Sequence, residues 1–116
     1  MKNVTVVDTT SKYIVKSTGI GSEDDQKMIE GGVESLEGGN TDSKVSLIEC
    51  YYLIENVGSF AGTLTISDGD ETLPLTGKGK YGLRPGQLKF GNDKQFTLTT
   101  DFHVKSYLLV TEFRRN

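Results

Sequence analysis

The chain has 116 residues, which is long enough for one domain to bury one hydrophobic core without disulfides or metal. Hydrophobic residues make up only 34% and tryptophan is absent, so the core must be thin, as in a two-layer β sandwich. The mild net charge of -3 disfavours nucleic-acid binding, the one cysteine rules out an intrachain disulfide, and no apolar stretch is long enough to cross a membrane.

The first predicted element is a β-hairpin. Val4 and Val6 lie on one face of its first strand, and Tyr13 and Val15 repeat the alternation after a turn-like stretch at 8–11. These opening residues contain no continuous apolar run, so we predict no signal peptide.

The next segment, residues 22–43, is strongly acidic. It contains seven acids and one lysine, a local charge of -6. Ser22 with acids after it suits a helix start, but Gly31-Gly32 would end such a helix after about two turns. We therefore predict an extended or mobile arm, with a short strand or turn around Met28 to Val33, that is free to reach a neighbouring molecule.

Two strong strand signals follow. Residues 45–54 are apolar on both faces for most of their length, which is typical of a strand covered on both sides or of one with a bulge, and we predict a central strand here. Phe60, Leu64 and Ile66 share one face of the next predicted strand, and the Asp68-Gly69 turn predicts a hairpin into Leu73 and Leu75.

The C-terminal part continues the same pattern. Leu88 and Phe90 alternate before a predicted turn at 91–94, Phe96 and Leu98 alternate after it, and Phe102 is in phase. A β-branched and aromatic run at 106–113 closes the chain. Seven or eight short strands at this spacing predict an all-β fold, a single antiparallel sandwich or barrel-like domain over residues 1–116.

Residues 77–82 match the letters of the dinucleotide-binding motif G-x-G-x-x-G. That motif needs a helix N-terminus facing the pyrophosphate, whereas Leu83-Arg84-Pro85-Gly86 cannot begin a long helix. We therefore interpret the motif as a glycine-rich turn or bulge where two backbones pass closely.

No group of residues predicts catalysis. His103, the sole histidine, reads as an outward-facing strand residue without a marked nucleophile, and Cys50 reads as a small buried hydrophobe. Asp68, Asp70 and Glu71 lack the spacing of a calcium loop, so a solvated hairpin tip is preferred. We predict no catalytic residues, no metal site and no cofactor.

Aromatic and basic residues give the clearest binding signal. Tyr51 lies on the central strand, and Tyr81 lies in the glycine-rich stretch near Arg84. Tyrosine and arginine are enriched in protein interfaces, although Tyr81 would equally serve to cap the end of the sandwich. With Met28 and Ile29 of the acidic arm, these five residues are the candidate interface.

The order of features resembles small virion structural proteins of tailed bacteriophages. The likeness rests on a V-x-D opening, Lys12-Tyr13-Ile14-Val15-Lys16 leading to Gly19-x-Gly21, a tyrosine-rich central strand, L-x-G-x-G-x-x-G-L at 75–83, and Y-L-L-V-T-E-F at 107–113. The resemblance implies a β sandwich that decorates or cements the capsid, or lies at the head and tail junction, in many copies. No binding residues carry over from it.

We therefore expect a capsid decoration or cement protein that binds the major capsid protein or another virion protein. It would form a homo-oligomer or symmetric array, assemble in the host cytoplasm into the virion, and bind neither nucleic acid nor membrane. Alternatives are a head–tail junction or tail component, and a carbohydrate-binding or host-adhesion module with Tyr51, Tyr81 and Phe60 as an aromatic platform.

Overall fold

A computed structural model describes residues 1–40, 42–82 and 89–116. The fold is all-β, as predicted, with two antiparallel sheets packed as a sandwich. The strands are β1 (Lys2–Asp8), β2 (Lys12–Ile20), β3 (Glu23–Lys27), β4 (Val45–Asn56), β5 (Leu64–Ser67), β6 (Thr72–Leu75), β7 (Lys78–Gly82), β8 (Phe90–Asp93), β9 (Thr97–Thr100) and β10 (Val104–Arg115). One 3₁₀ turn, Val33–Ser35, lies between β3 and β4.

The larger sheet has the strand order β1-β2-β10-β4-β7, and β8 pairs with the first part of β4. The smaller sheet has the order β3-β9-β5-β6. Both β4 and β10 are 12 residues long and pair along most of their length. The predicted first hairpin, central strand and Asp-Gly hairpin are confirmed as β1–β2, β4 and β5–β6.

Aromatic rings fill the space between the sheets. The ring centroids of Phe96 and Phe113 lie 4.9 Å apart, Phe90 lies 6.1 Å from Phe96, and Tyr13 lies 6.4 Å from Phe113. The Tyr13–Phe113 pair is stacked and the other two pairs are tilted, and both arrangements add to the stabilisation that burial alone gives. The core therefore draws on both the first hairpin and the last strand.

The acidic segment is not a free arm. Met28, Ile29, Val33 and Leu36 belong to the core, and the first three are completely buried. All acids of residues 22–43 except Glu23 are exposed, and Glu23 is ion-paired with the N-terminal amine at 2.8 Å. The charges of this segment therefore conceal the apolar spacing of its core residues. The candidate interface residues Met28 and Ile29 are thus core residues, and the prediction for them is wrong.

Hydrogen bonds fix this segment to the body. The strand β3 pairs with β9, and the Ile29 N–H donates to Oε1 of Gln95 at 2.9 Å while Nε2 of Gln95 donates back to the Ile29 carbonyl. The N–H of Met28 donates to the Phe96 carbonyl at 2.9 Å. These contacts satisfy backbone groups that burial would otherwise leave unpaired.

We expect Ile29→Ala to lower the free energy of unfolding by about 2–5 kcal/mol, because it removes fully buried methyl groups. Urea titration followed by circular dichroism measures this change. The control, Glu34→Ala, alters an exposed residue of the same segment. Equal stability of both variants would mean that the segment does not contribute to the core.

Some turns lie elsewhere than predicted. The strand β8 runs through residues 91–93, where the sequence suggested a turn, because it pairs with β4. Phe60 lies in the β4–β5 loop and is exposed, so it does not share the buried face of Leu64 and Ile66. His103 lies in the turn before β10, not on a strand. Leu88 lies outside the described residues.

Asp68 fastens the β5–β6 hairpin to β8. Its Oδ1 accepts hydrogen bonds from the N–H groups of Asp70 and Glu71 at 2.9 and 2.7 Å, and its Oδ2 accepts one from Asn92 at 3.1 Å. Burial alone would raise the pKa of this carboxyl, but the backbone donors favour the carboxylate and hold its pKa below the ordinary value.

The lowered pKa makes part of the stability depend on pH. The carboxylate contributes stability above the ordinary aspartate pKa, and this contribution is lost as the pH falls through the lower pKa of the folded state. We expect Asp68→Asn to be less stable than the wild type at neutral pH and to show a flatter decline in acid. Urea titrations of both proteins from pH 7 down to pH 3 measure the difference. If the free energies of unfolding of the two proteins fall in parallel with pH, the lowered pKa of Asp68 is contradicted.

Candidate protein-binding surfaces

The outer faces of the two sheets differ in chemistry. On the smaller sheet, the register places polar or small side chains on the outside, namely Thr65, Ser67, Thr72, Pro74, Thr97 and Thr99. Such a face is typical of an antiparallel sheet that meets water. The outer face of the larger sheet differs, because it carries apolar side chains at its centre.

On the larger sheet, four apolar side chains form the centre of the outer face. The register pairs Val110 of β10 with Tyr51 of β4, and Leu108 with Leu53, so the four side chains make a square of cross-strand neighbours. Tyr51 and Leu53 are 48% and 44% exposed. We call these four residues the apolar block.

Charged residues surround the apolar block in an ordered way. Lysines lie beside it across the strands: Lys16 of β2 pairs with Val110, and Lys80 and Lys78 of β7 pair with Tyr51 and Leu53. Glutamates lie beyond it along the strands, with Glu49 and Glu112 paired at one end and Glu55 at the other. Lysines thus flank the block on two sides, with Thr18 beside Leu108 on the β2 side, and glutamates lie at the other two ends, where Glu112 is ion-paired with Arg114 at 2.6 Å.

Lys80 contacts two residues of β4 at the β7 edge of the outer face. Nζ of Lys80 lies 3.2 Å from Oε1 of Glu49 and 5.1 Å from the centroid of the Tyr51 ring. Its contacts with Tyr51 and with Glu49 raise the pKa of Lys80, so it stays cationic. The tyrosine ring is therefore held against the sheet by a cation–π contact.

A second surface lies at one end of the sandwich. The four most exposed hydrophobic side chains of the described residues are Ile20, Phe102, Phe60 and Val57, at 78, 76, 70 and 65%. The strands β2 and β4 end here and β10 begins here, because Ile20 pairs with Ser106 and Asn56 with Val104. We call these four residues the apolar tip.

His103 lies at the centre of the apolar tip. The rings of Phe102 and Phe60 lie 4.1 and 5.5 Å from its imidazole, and its carbonyl accepts a hydrogen bond from the Val57 N–H at 2.8 Å. The histidine is thus packed between two exposed phenylalanines.

Side chain to backbone hydrogen bonds fix the tip loops. Asp101 accepts from the Thr63 N–H at 3.1 Å and from the His103 N–H at 3.0 Å. Oδ1 of Asn56 accepts from the Gly62 N–H at 2.8 Å. Both loops are therefore anchored, which lowers the conformational entropy that they would lose on binding a partner.

The predicted interface residues are not brought together. Tyr51 is on the outer face, but Tyr81 pairs with Cys50 and faces inward, where it packs against the core. Arg84 lies outside the described residues. The structure instead adds Ile20, Val57 and Phe102. Ile20 and Val57 are apolar residues beside a glycine in the sequence. Phe102 was predicted to continue the alternation of Phe96 and Leu98, but it lies in the turn before β10 and is exposed.

The G-x-G-x-x-G stretch forms the edge strand β7 together with its flanking turn. A Cβ at Gly82 would clash with the carbonyl of Ile48, and Gly82 has φ 100°, so glycine is required by a close approach of two backbones. The predicted close approach of two backbones is confirmed, and it lies at the end of strand β7.

Residues with reactive side chains are buried or dispersed. Cys50 is fully buried, and this burial raises the pKa of its thiol to about 11. No three of the metal-ligating side chains in the described ranges come together. The same ranges contain no helix with the length and apolar character to span a bilayer.

Comparisons with protein-family models, with curated proteins and with solved structures find no match to this chain. The two surfaces are therefore interpreted from their own geometry.

We expect the double variant Phe60→Ser/Phe102→Ser to bind much less bis-ANS than the wild type, because it removes two exposed rings from the apolar tip. Its free energy of unfolding should change by less than about 0.5 kcal/mol per site. Val6→Ser removes an exposed valine elsewhere and serves as the control. Undiminished dye fluorescence in the double variant would mean that the tip is not an accessible apolar surface.

Proposed function

We propose that this protein is a non-catalytic virion structural protein, a capsid decoration or cement protein that docks on a shell of capsid proteins through the apolar tip. The concentration at one end of the four most exposed large hydrophobic side chains of residues 1–40, 42–82 and 89–116 carries this proposal. Exposed apolar groups gathered in one place mark interaction sites more often than scattered ones do.

The shape of the tip favours a protein partner with a recess. Phe60 and Phe102 project from anchored loops, so each ring can fill a pocket at low entropic cost. Glu55 and Asp101 lie beside these loops together with Lys105, so a neutral or basic rim on the partner would complement them.

The resemblance to phage virion proteins supplies the class of partner, and the sandwich fold agrees with that class. Many copies on a symmetric shell would multiply a weak contact into stable attachment. A head–tail junction role uses the same surface, and the copy number per particle separates the two roles.

The aromatic platform of the carbohydrate hypothesis is not assembled. Tyr51 and Tyr81 occupy opposite faces of the larger sheet, and Phe60 belongs to the tip loops. A glycan-binding function would need a different set of residues.

The direct test is occupancy on particles purified from infected cells that make the chain. We expect the wild-type protein to copurify at a fixed, high ratio to the major capsid protein, measured by quantitative mass spectrometry. Phe60→Ser/Phe102→Ser should lower this occupancy by at least about tenfold, since rings in the centre of an interface dominate its affinity.

Val6→Ser is the matched control, because it removes an apolar side chain that is 57% exposed and remote from the tip. Its occupancy should equal that of the wild type. If the wild-type chain is absent from purified particles, the virion proposal fails. If the double variant binds as well as the control, the tip is not the docking surface.

A further inference from the structure

The outer face of the larger sheet has the area of a specific interface. Five adjacent strands spaced about 5 Å apart, with four outward positions about 7 Å apart, give about 700 Å². Two such faces bury about 1,400 Å², within the range of about 1,200–2,000 Å² for specific protein complexes. A second copy of the same face would therefore cover the apolar block adequately.

The charges around the apolar block restrict how two copies can pack. Sheets pack face to face either nearly aligned or nearly perpendicular. In an aligned pair, the lysine sides of one copy meet the lysine sides of the other, and Glu55 meets a glutamate end. Like charges in these positions oppose association.

When the strands of the two copies are perpendicular, opposite charges meet instead. A two-fold axis in the plane of the interface, at 45° to the strands, exchanges the direction along the strands with the direction across them. Each glutamate end then lies over a lysine side, and symmetry repeats every contact. Lys16, Lys78 and Glu55 are exposed and able to form such pairs.

We propose that this protein forms a two-fold homodimer in which the outer faces of two larger sheets pack with their strands nearly perpendicular. The apolar blocks meet at the centre, and lysines and glutamates alternate around them. Ile20 and Glu55 lie at the edge of this interface, because Ser106 pairs with both, whereas Val57, Phe60 and Phe102 belong to the loops beyond the strands.

Sedimentation velocity on the purified chain over a wide concentration range measures the association. We expect a reversible monomer–dimer equilibrium, and Leu53→Asp should raise the dissociation constant at least about tenfold, because it places a charge in the apolar centre. Thr65→Asp makes the same kind of change on the outer face of the smaller sheet and should leave the constant unchanged. Circular dichroism confirms that both variants are folded.

Charge reversals test the perpendicular arrangement. Glu55 faces either Lys16 or Lys78 of the second copy, depending on which diagonal carries the two-fold axis. Glu55→Lys, and reversal to glutamate of the lysine that it faces, should each weaken the dimer severalfold. Either the Glu55→Lys/Lys16→Glu or the Glu55→Lys/Lys78→Glu double variant should restore it.

Several results would overturn the proposal. A wild-type monomer at all concentrations excludes the dimer, and a dimer unaffected by Leu53→Asp uses another surface. Tighter association of Glu55→Lys indicates the aligned arrangement instead. Failure of both double variants to recover the wild-type constant excludes the proposed pairing of charges.

Discussion

The pairing of β10 with β2 on one side and β4 on the other is the interaction on which the rest of the structure depends. Alternation along β10 sends Tyr107, Leu109 and Phe113 into the core, while Leu108 and Val110 point outward. A shift of one residue would exchange these two sets. The register of one strand therefore determines both the packing of the interior and the chemistry of the outer face.

The two ends of the sandwich are built differently around this strand. At one end, the buried carboxylate of Asp68 joins the β5–β6 hairpin to β8 through three backbone donors. At the other end, Asp101 holds two backbone N–H groups, but the side chains that its loops carry are apolar and exposed. The same device, an aspartate accepting from the backbone, serves stability at one end and presents a surface at the other.

The sequence predicted the strands that depend on local alternation or on a turn pair, such as β4 and the hairpin around Asp68 and Gly69. It failed at residues 22–43, where seven acids concealed the apolar spacing of Met28, Ile29, Val33 and Leu36. Local charge says where side chains meet water, but it does not say whether the backbone between them is packed.

The surfaces were harder to predict, because they depend on contacts between distant segments. Tyr51 was identified, but the inward direction of Tyr81 follows from its pairing with Cys50, some 30 residues away. The apolar tip unites the end of β2 with residues of the β4–β5 and β9–β10 connections, which only the strand order brings together. No local pattern contains that information.

The glycines of β7 carry a consequence for how such sequences diverge. Gly82 has no room for a Cβ against the carbonyl of Ile48, whereas Lys78 and Lys80 of the same strand carry long side chains on the outer face. Descendants of this chain must keep the glycine at this approach. One letter of a nucleotide-binding signature would then persist through long divergence for reasons of backbone packing alone.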